Sequence, residues 1–193
     1  GNFFNIPVVY VTVLVNQSDI EKIRYTLKRL TKSHSTVVEK KEEVTRNKDI
    51  INHYLVEERC LYYTEKVTKT RVIEDLLATL SQSNDTEFID EMRRQVSVRE
   101  MLGSIIFSEY FAFPHPAKPQ GIITEVAFAI CPSGVEWDER HKDIRFVMLI
   151  SPSRFDNKEL PILMEFFADL LQDEQKIQVL LDNPSITTLQ NLY

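Results

Sequence analysis

Only two cysteines, Cys60 and Cys131, occur in the 193 residues. That excludes a disulfide-stapled scaffold and a cysteine-built metal cluster. Both stand inside apolar stretches far apart in sequence, as reduced core residues of a cytoplasmic protein do. The four histidines, at 34, 53, 115 and 141, have no metal-ligand spacing with one another or with the cysteines. No apolar run approaches the ~20 residues of a membrane span, and the first residues carry no secretory pattern. An excess of positive charge is also missing. The formal net charge is −6, there is no helix-turn-helix signature, and no basic stripe is interleaved with aromatics, so direct nucleic-acid binding is not expected. What remains is an ordinary globular composition, 43% hydrophobic and 27% charged, with length for one core.

Residues 6–15, IPVVYVTVLV, form a β-branched run suited to a strand buried on both faces. Ser18 and Glu21 then stand three apart, as a capping box requires. Ile20, Ile23, Leu27 and Leu30 share one helical face. One strand and one helix cannot bury their own apolar surface, so residues 6–30 are expected to join a larger sheet, or to be the end of a domain whose front is missing. Residues 31–49 are polar and charged and read as a linker with a helical end. Residues 59–67, RCLYYTEKV, read as a short strand or extended segment. Thr68 is expected to cap a helix with Val72, Ile73, Leu76, Leu77 and Leu80 inward. Thr86 is expected to cap a second, with Phe88, Ile89, Met92 and Val96 inward. Strands are then expected at 105–113, 122–131 and 144–152, with a short piece, GVEWD, after a Pro-Ser-Gly turn. A long helix beginning near 156–159 tolerates Pro161 in its first turn, and two short helices finish the chain. The pattern predicts an α/β domain whose mixed sheet is flanked by helices.

The stretch Val98–Pro119, VREMLGSIIFSEYFAFPHPAKP, sets His115 between two prolines at the exit of an apolar strand. Pro114 holds φ near −65°, and Pro116 restricts His115 itself to extended backbone. A histidine pinned this way presents a ring nitrogen at low ordering cost, which suits a nucleophilic imidazole. Arg99 lies sixteen residues earlier, at a helix end. A chain doubling back would bring its guanidinium beside His115, where it can fork onto phosphate oxygens. His141, in the turn DERHKD, reads as a solvated turn residue.

These residues resemble the active-site region of the type-2 (mannitol/fructose-type) EIIA domains of the sugar phosphotransferase system. The matching elements are Arg99-Glu100, Gly103-Ser104, Ala112-Phe113-Pro114-His115, and Trp137-Asp138 before the most apolar strand. Pro116 after the histidine is more like the EIIA-like domains at the C-termini of BglG-type transcriptional activators and antiterminators. The N-terminal segment resembles the last strand and helix of the EIIB-like domain that precedes EIIA in those regulators. The resemblance implies three segments: an EIIB-like remnant at 1–31, a charged linker at 32–49 and an EIIA-like domain at 50–193. It implies that His115 accepts a phosphoryl group, that Arg99 stabilises it and that Ser104 supports the phosphate side, with no metal and no cofactor. The implied donor is the general histidine phosphocarrier protein, with EIIB-type domains and a second copy of the chain, as a homodimer, as further partners. The implied role is a phosphorylation-controlled regulatory domain rather than a turnover enzyme. The alternatives are a phosphocarrier component of sugar transport and a degenerate interaction module. Two departures bear on the choice. No glycine lies between Gly103 and His115, and the segment RFDNKELPIL carries Glu159, Leu160 and Pro161, with no histidine, where transport members have a second one.

Overall fold

The computed structural model describes residues 37–193, with side chains from Glu42 onward, together with Ile20 and Arg24. The expected strand and helix of residues 6–30 fall outside the described residues apart from those two, both helical. The chain divides into two units, 1–47 and 48–193. The second carries the sheet.

The segment expected as a linker is largely helix: α1 spans Val37–Tyr54. Glu, Lys and Arg are good helix formers, so a charged run without Pro or Gly propagates a helix as readily as it makes a tether. Ile50, Ile51, Tyr54 and Leu55, at its end, are buried in the core. A short 3₁₀ turn, Glu57–Arg59, leads into β1, Cys60–Tyr62. Next come α2 (Lys69–Ala78) and α3 (Thr86–Met101). Thr68 caps α2 as expected, its hydroxyl accepting from Arg71 N–H at 3.2 Å. Asp85 caps α3 in place of the expected Thr86, its carboxylate accepting from the amides of Glu87 and Phe88. The carboxylate one residue earlier adds charge at the positive helix end, which a hydroxyl does not.

The expected single strand over 105–113 is two short ones, β2 (Ile106–Ser108) and β3 (Phe111–Ala112), paired antiparallel with a register shift. The polar Ser108-Glu109 pair breaks the apolar run and makes the turn. β4 starts at Glu125, not Ile122, and runs through Val135, so GVEWD begins in the same strand rather than after a turn. The Pro-Ser-Gly stretch is a bulge inside β4, where pairing with β5 (Ile144–Ser151) jumps from Ile130↔Phe146 to Val135↔Ile144. Gly134 adopts φ +73 there, and a Cβ would lie 2.3 Å from an Asp143 carboxylate oxygen, so only glycine fits. The chain ends in α4 (Leu160–Leu170), α5 (Glu174–Asp182) and α6 (Ile186–Asn191).

The sheet order is β1-β4-β5-β3-β2, with β1 parallel to β4, β4 antiparallel to β5 and β5 parallel to β3. The central strands are buried on both faces. On one face Phe128, Ile130, Phe146, Met148 and Ile150 pack against the end of α1 and against α4–α6. On the other, Ala127, Ala129, Cys131 and Val147 are small, which lets α2 and α3 approach closely. Cys60 and Cys131 are buried free thiols. Among the described residues no helix is long and apolar enough to cross a membrane.

Candidate functional site

The inward face of α3 begins as expected with Phe88, Met92 and Val96, but it also contains Gln95 and Arg99, 5% and 3% exposed. Long polar side chains are seldom buried unless partnered. They mark where α3 stops being packing and becomes a site.

β3 runs parallel to β5, and the alignment continues past its end, where Ile150 N–H donates to Pro114 O at 3.2 Å. His115 therefore emerges beyond the carboxyl end of β3. Ala117 N–H donates to Gln95 O at 3.1 Å, so the chain after His115 lies against α3. Pro114 and Pro116 are buried and His115 is half-buried between them. Its Nδ1 lies 2.8 Å from Phe113 O, and its ring is 4.8 Å from the Phe113 ring. Arg99 Nε–H donates to His115 Nε2 at 2.9 Å, and Nη1 donates to Gly103 O at 3.2 Å.

These contacts assign the tautomer. A guanidinium N–H only donates, so Nε2 carries the lone pair and the proton sits on Nδ1, where it donates to the Phe113 carbonyl. Burial pulls the His115 pKa down to about 4; the Phe113 carbonyl pulls it up in part, and the Arg99 cation adds a smaller downward pull. At neutral pH the ring is uncharged, with its lone pair on Nε2. A bond formed at Nε2 would put positive charge on the ring, and the carbonyl at Nδ1 lies where it could take that charge up.

Arg99 sits in the last turn of α3, where the helix dipole favours a cation. Among the described residues no carboxylate pairs with it, and only two of the five donors a guanidinium carries are engaged. Burial lowers its pKa. A buried guanidinium with unspent donors and no counter-ion is an anion site in waiting. Its neighbour Glu100 secures the helix end by accepting from Lys69 Nζ and from Trp137 Nε1, while the Lys69 ammonium lies 5.1 Å from the centre of the Trp137 ring.

Ser104 is exposed, and its hydroxyl accepts from Ile106 N–H at 3.1 Å. It lines a cleft of about 410 Å³ with Glu100, Asp138 and His141, whose walls do not include His115. Glu159 accepts from Tyr54 OH at 3.1 Å. His141 closes its turn on Asp138, as a turn residue does. Among the described residues no His, Cys, Asp and Glu cluster could hold a metal. The Phe113 carbonyl had no signal in sequence, because any residue supplies one. Gln95 did have a signal, since it stands one helical turn before Arg99.

The depressed His115 pKa makes stability depend on pH. The unfolded chain, with an ordinary pKa near 6.5, takes up this proton before the folded one does. Stability contributed by the neutral ring is complete above about pH 6.5, falls as pH drops toward 4, and levels off below. The total is about 3 kcal/mol. Urea titrations from pH 7.5 to 4 are expected to show this slope in the parent chain and to show it removed in His115→Gln. An equal slope in both would mean that other groups cause it.

No curated protein matches the chain. Among solved structures, the mannitol IIA domain of Escherichia coli is 25% identical, covers 70% of this chain and 95% of its own, and superposes with a TM-score of 0.54. The complex of the same organism's IIA and phosphorylated IIB mannitol enzymes matches at 24% identity over 71% of this chain and 94% of that one, TM-score 0.55. The nitrogen regulatory protein IIA-Ntr of Neisseria meningitidis shares the fold at 16% identity, 72% and 96% coverage, and TM-score 0.56. The profile of the phosphoenolpyruvate-dependent sugar phosphotransferase system EIIA 2 family matches residues 54–192. With its mixed five-stranded sheet and its Arg99–His115 pair, this chain belongs to that EIIA family.

Proposed function

We propose that the chain is the C-terminal regulatory part of a BglG-type transcriptional regulator or antiterminator, controlled by reversible phosphorylation of His115. The observation that carries the phospho-acceptor role is the neutral Nε2 lone pair beside a buried guanidinium without a counter-ion. In the reaction the Nε2 lone pair forms a bond to phosphorus as the nitrogen–phosphorus bond of a donor phosphohistidine breaks. The donor ring leaves with the electron pair. Arg99 must first release Nε2, and its N–H groups then meet the equatorial oxygens of the transferring group. No metal is needed, because positioning and fixed donors supply the stabilisation.

The donor in this reading is the general histidine phosphocarrier protein, and the setting is the cytoplasm. The loops around the site favour a protein donor. Met101 and Leu102 follow Arg99 and are 78% and 65% exposed, while Ile122, Ile123 and Phe155 are 56%, 55% and 79% exposed. Ser153 Oγ ties two of these together, donating to Ile122 O and accepting from Phe155 N–H. Exposed apolar side chains on ordered loops fit a protein surface better than a small phosphate ester. EIIB-type domains are the second partner class, and a homodimer is the assembly.

Three features favour regulation over carriage. His115 is followed by Pro116. Glu159, occupied by Tyr54, stands in place of a second histidine. The Nε2 lone pair is capped at rest. With phosphoenolpyruvate and the two general phosphotransferase proteins, the purified chain is expected to gain acid-labile phosphate slowly and incompletely, and to pass little of it to an isolated EIIB domain. Rapid, complete transfer to EIIB would establish the phosphocarrier reading instead. No loading, under conditions that load an ordinary EIIA domain, would leave an interaction module.

A further inference from the structure

Gln95 is a buried polar side chain one helical turn before Arg99 that the reaction above does not use. It is 5% exposed, its Nε2 donates to Glu91 Oε1 at 2.9 Å, and its Oε1 has no hydrogen-bond partner. The Glu91 contact fixes the amide orientation, because a flip would set oxygen against carboxylate. Glu91 is itself held by Arg94, at 2.6 and 2.7 Å. A buried acceptor left without a donor is rare in folded proteins. Here an under-used donor lies one turn away. Residues four apart on a helix are surface neighbours, with Cβ atoms about 5–6 Å apart, and Arg99 has donors to spare. The two are also joined through the loop, since Gln95 O holds Ala117 N–H, two residues past His115.

We propose that Gln95 is a positioning residue for phosphoryl transfer: its Oε1 receives the Arg99 guanidinium when Arg99 lets go of His115 Nε2. This rests on the phospho-acceptor reading of His115. The reaction requires two positions of one guanidinium. In the resting position Nε–H caps the lone pair. In the working position the lone pair is free, and the guanidinium must be held close enough to meet phosphate oxygens. A cation released with no acceptor would carry an unmet N–H inside a buried pocket, which disfavours release. Gln95 Oε1 supplies that acceptor without charge. A carboxylate there would ion-pair with Arg99 and compete with the phosphoryl group. The amide holds the cation and leaves its charge unspent.

The test uses Gln95→Met, which keeps the length of the side chain and removes the acceptor, and Gln95→Glu, which supplies the carboxylate. Two readouts separate this proposal from the reading beneath it. The first needs no phosphodonor. Relaxation of the Arg99 Nε–H signal is expected to show microsecond-to-millisecond exchange in the parent chain and to lose it in Gln95→Met, where the His115-bound position prevails. The second is the loading rate at saturating phosphocarrier protein. Gln95→Met is expected to lower it roughly tenfold, the worth of one hydrogen bond to a charged group, with the half-saturating donor concentration unchanged. Gln95→Glu is expected to lower it as well, and neither change is expected to matter in an Arg99→Ala background. Identical Arg99 relaxation in parent and Gln95→Met would overturn the proposal, as would a loading defect that persists without Arg99. A parent chain that does not load at all, yet shows the exchange, would count against the phospho-acceptor reading and leave the Arg99–Gln95 contact standing.

Discussion

Substituting His115 by alanine is expected to reduce phosphate incorporation to background, from up to one acid-labile phosphate per chain in the parent. The loss is total because no other group in the described site offers a neutral, outward lone pair: Ser104 is turned to Ile106, Glu159 to Tyr54 and His141 to Asp138. The substitution also removes the acceptor of a nearly buried arginine, so it costs about 1–3 kcal/mol of stability, short of what unfolds a domain of this size. His115→Gln is the control for that effect. It offers Arg99 a carbonyl oxygen but no nucleophilic nitrogen, and is expected to fold like the parent and still not label. Labelling that persists in either variant would move the acceptor elsewhere.

Arg99→Ala carries the second largest effect, and two opposed terms set its sign. Removing the guanidinium uncaps Nε2, which favours attack by the worth of one hydrogen bond to a charged group, about 1.5 kcal/mol in a partly wet site. It also removes the donors aimed at the transferring group, and losing one such donor costs about 3–4 kcal/mol of transition-state stabilisation. The second term wins by about 1.5–2.5 kcal/mol, so loading is expected to slow by roughly ten- to seventy-fold. Arg99→Lys restores the charge without the fork and is expected to fall between. The imidazole should respond oppositely. Loss of the cation and of the burial it provides lets the His115 pKa rise from about 4 toward its ordinary value, readable by titrating the ring signals. Faster loading in Arg99→Ala would show that the guanidinium serves mainly as a cap.

Much of this was legible in the sequence because it is local. Proline on both sides restricts His115 wherever the chain goes. The 3.6-residue repeat of Val72, Leu76 and Leu80, and of Phe88, Met92 and Val96, specifies which faces of α2 and α3 turn inward, whatever they meet there. The spacing of Arg99 and His115 pointed to one site through a family resemblance. Its physical basis, the hairpin of β2 and β3, was not read from the sequence: two polar residues, Ser108 and Glu109, in an otherwise apolar run of nine fit a continuous strand as well as a turn. The start of β4 was misplaced for the same reason, since Ile122 and Ile123 look like strand interior and are instead exposed on a loop.

Composition and spacing by themselves pointed to an α/β domain with a mixed sheet flanked by helices, to the inward faces of α2 and α3, and to the candidate nucleophile. Only the tertiary structure decided the chemistry of the site. Which imidazole nitrogen carries the proton depends on a carbonyl two residues away and a guanidinium sixteen residues away, and both are placed by β3 lying beside β5. Where Ser104 and Gln95 lie relative to His115 depends on where α3 ends and how the loop after His115 crosses it. Those are properties of packing between distant segments, and one strand's own residues do not encode what is laid against it.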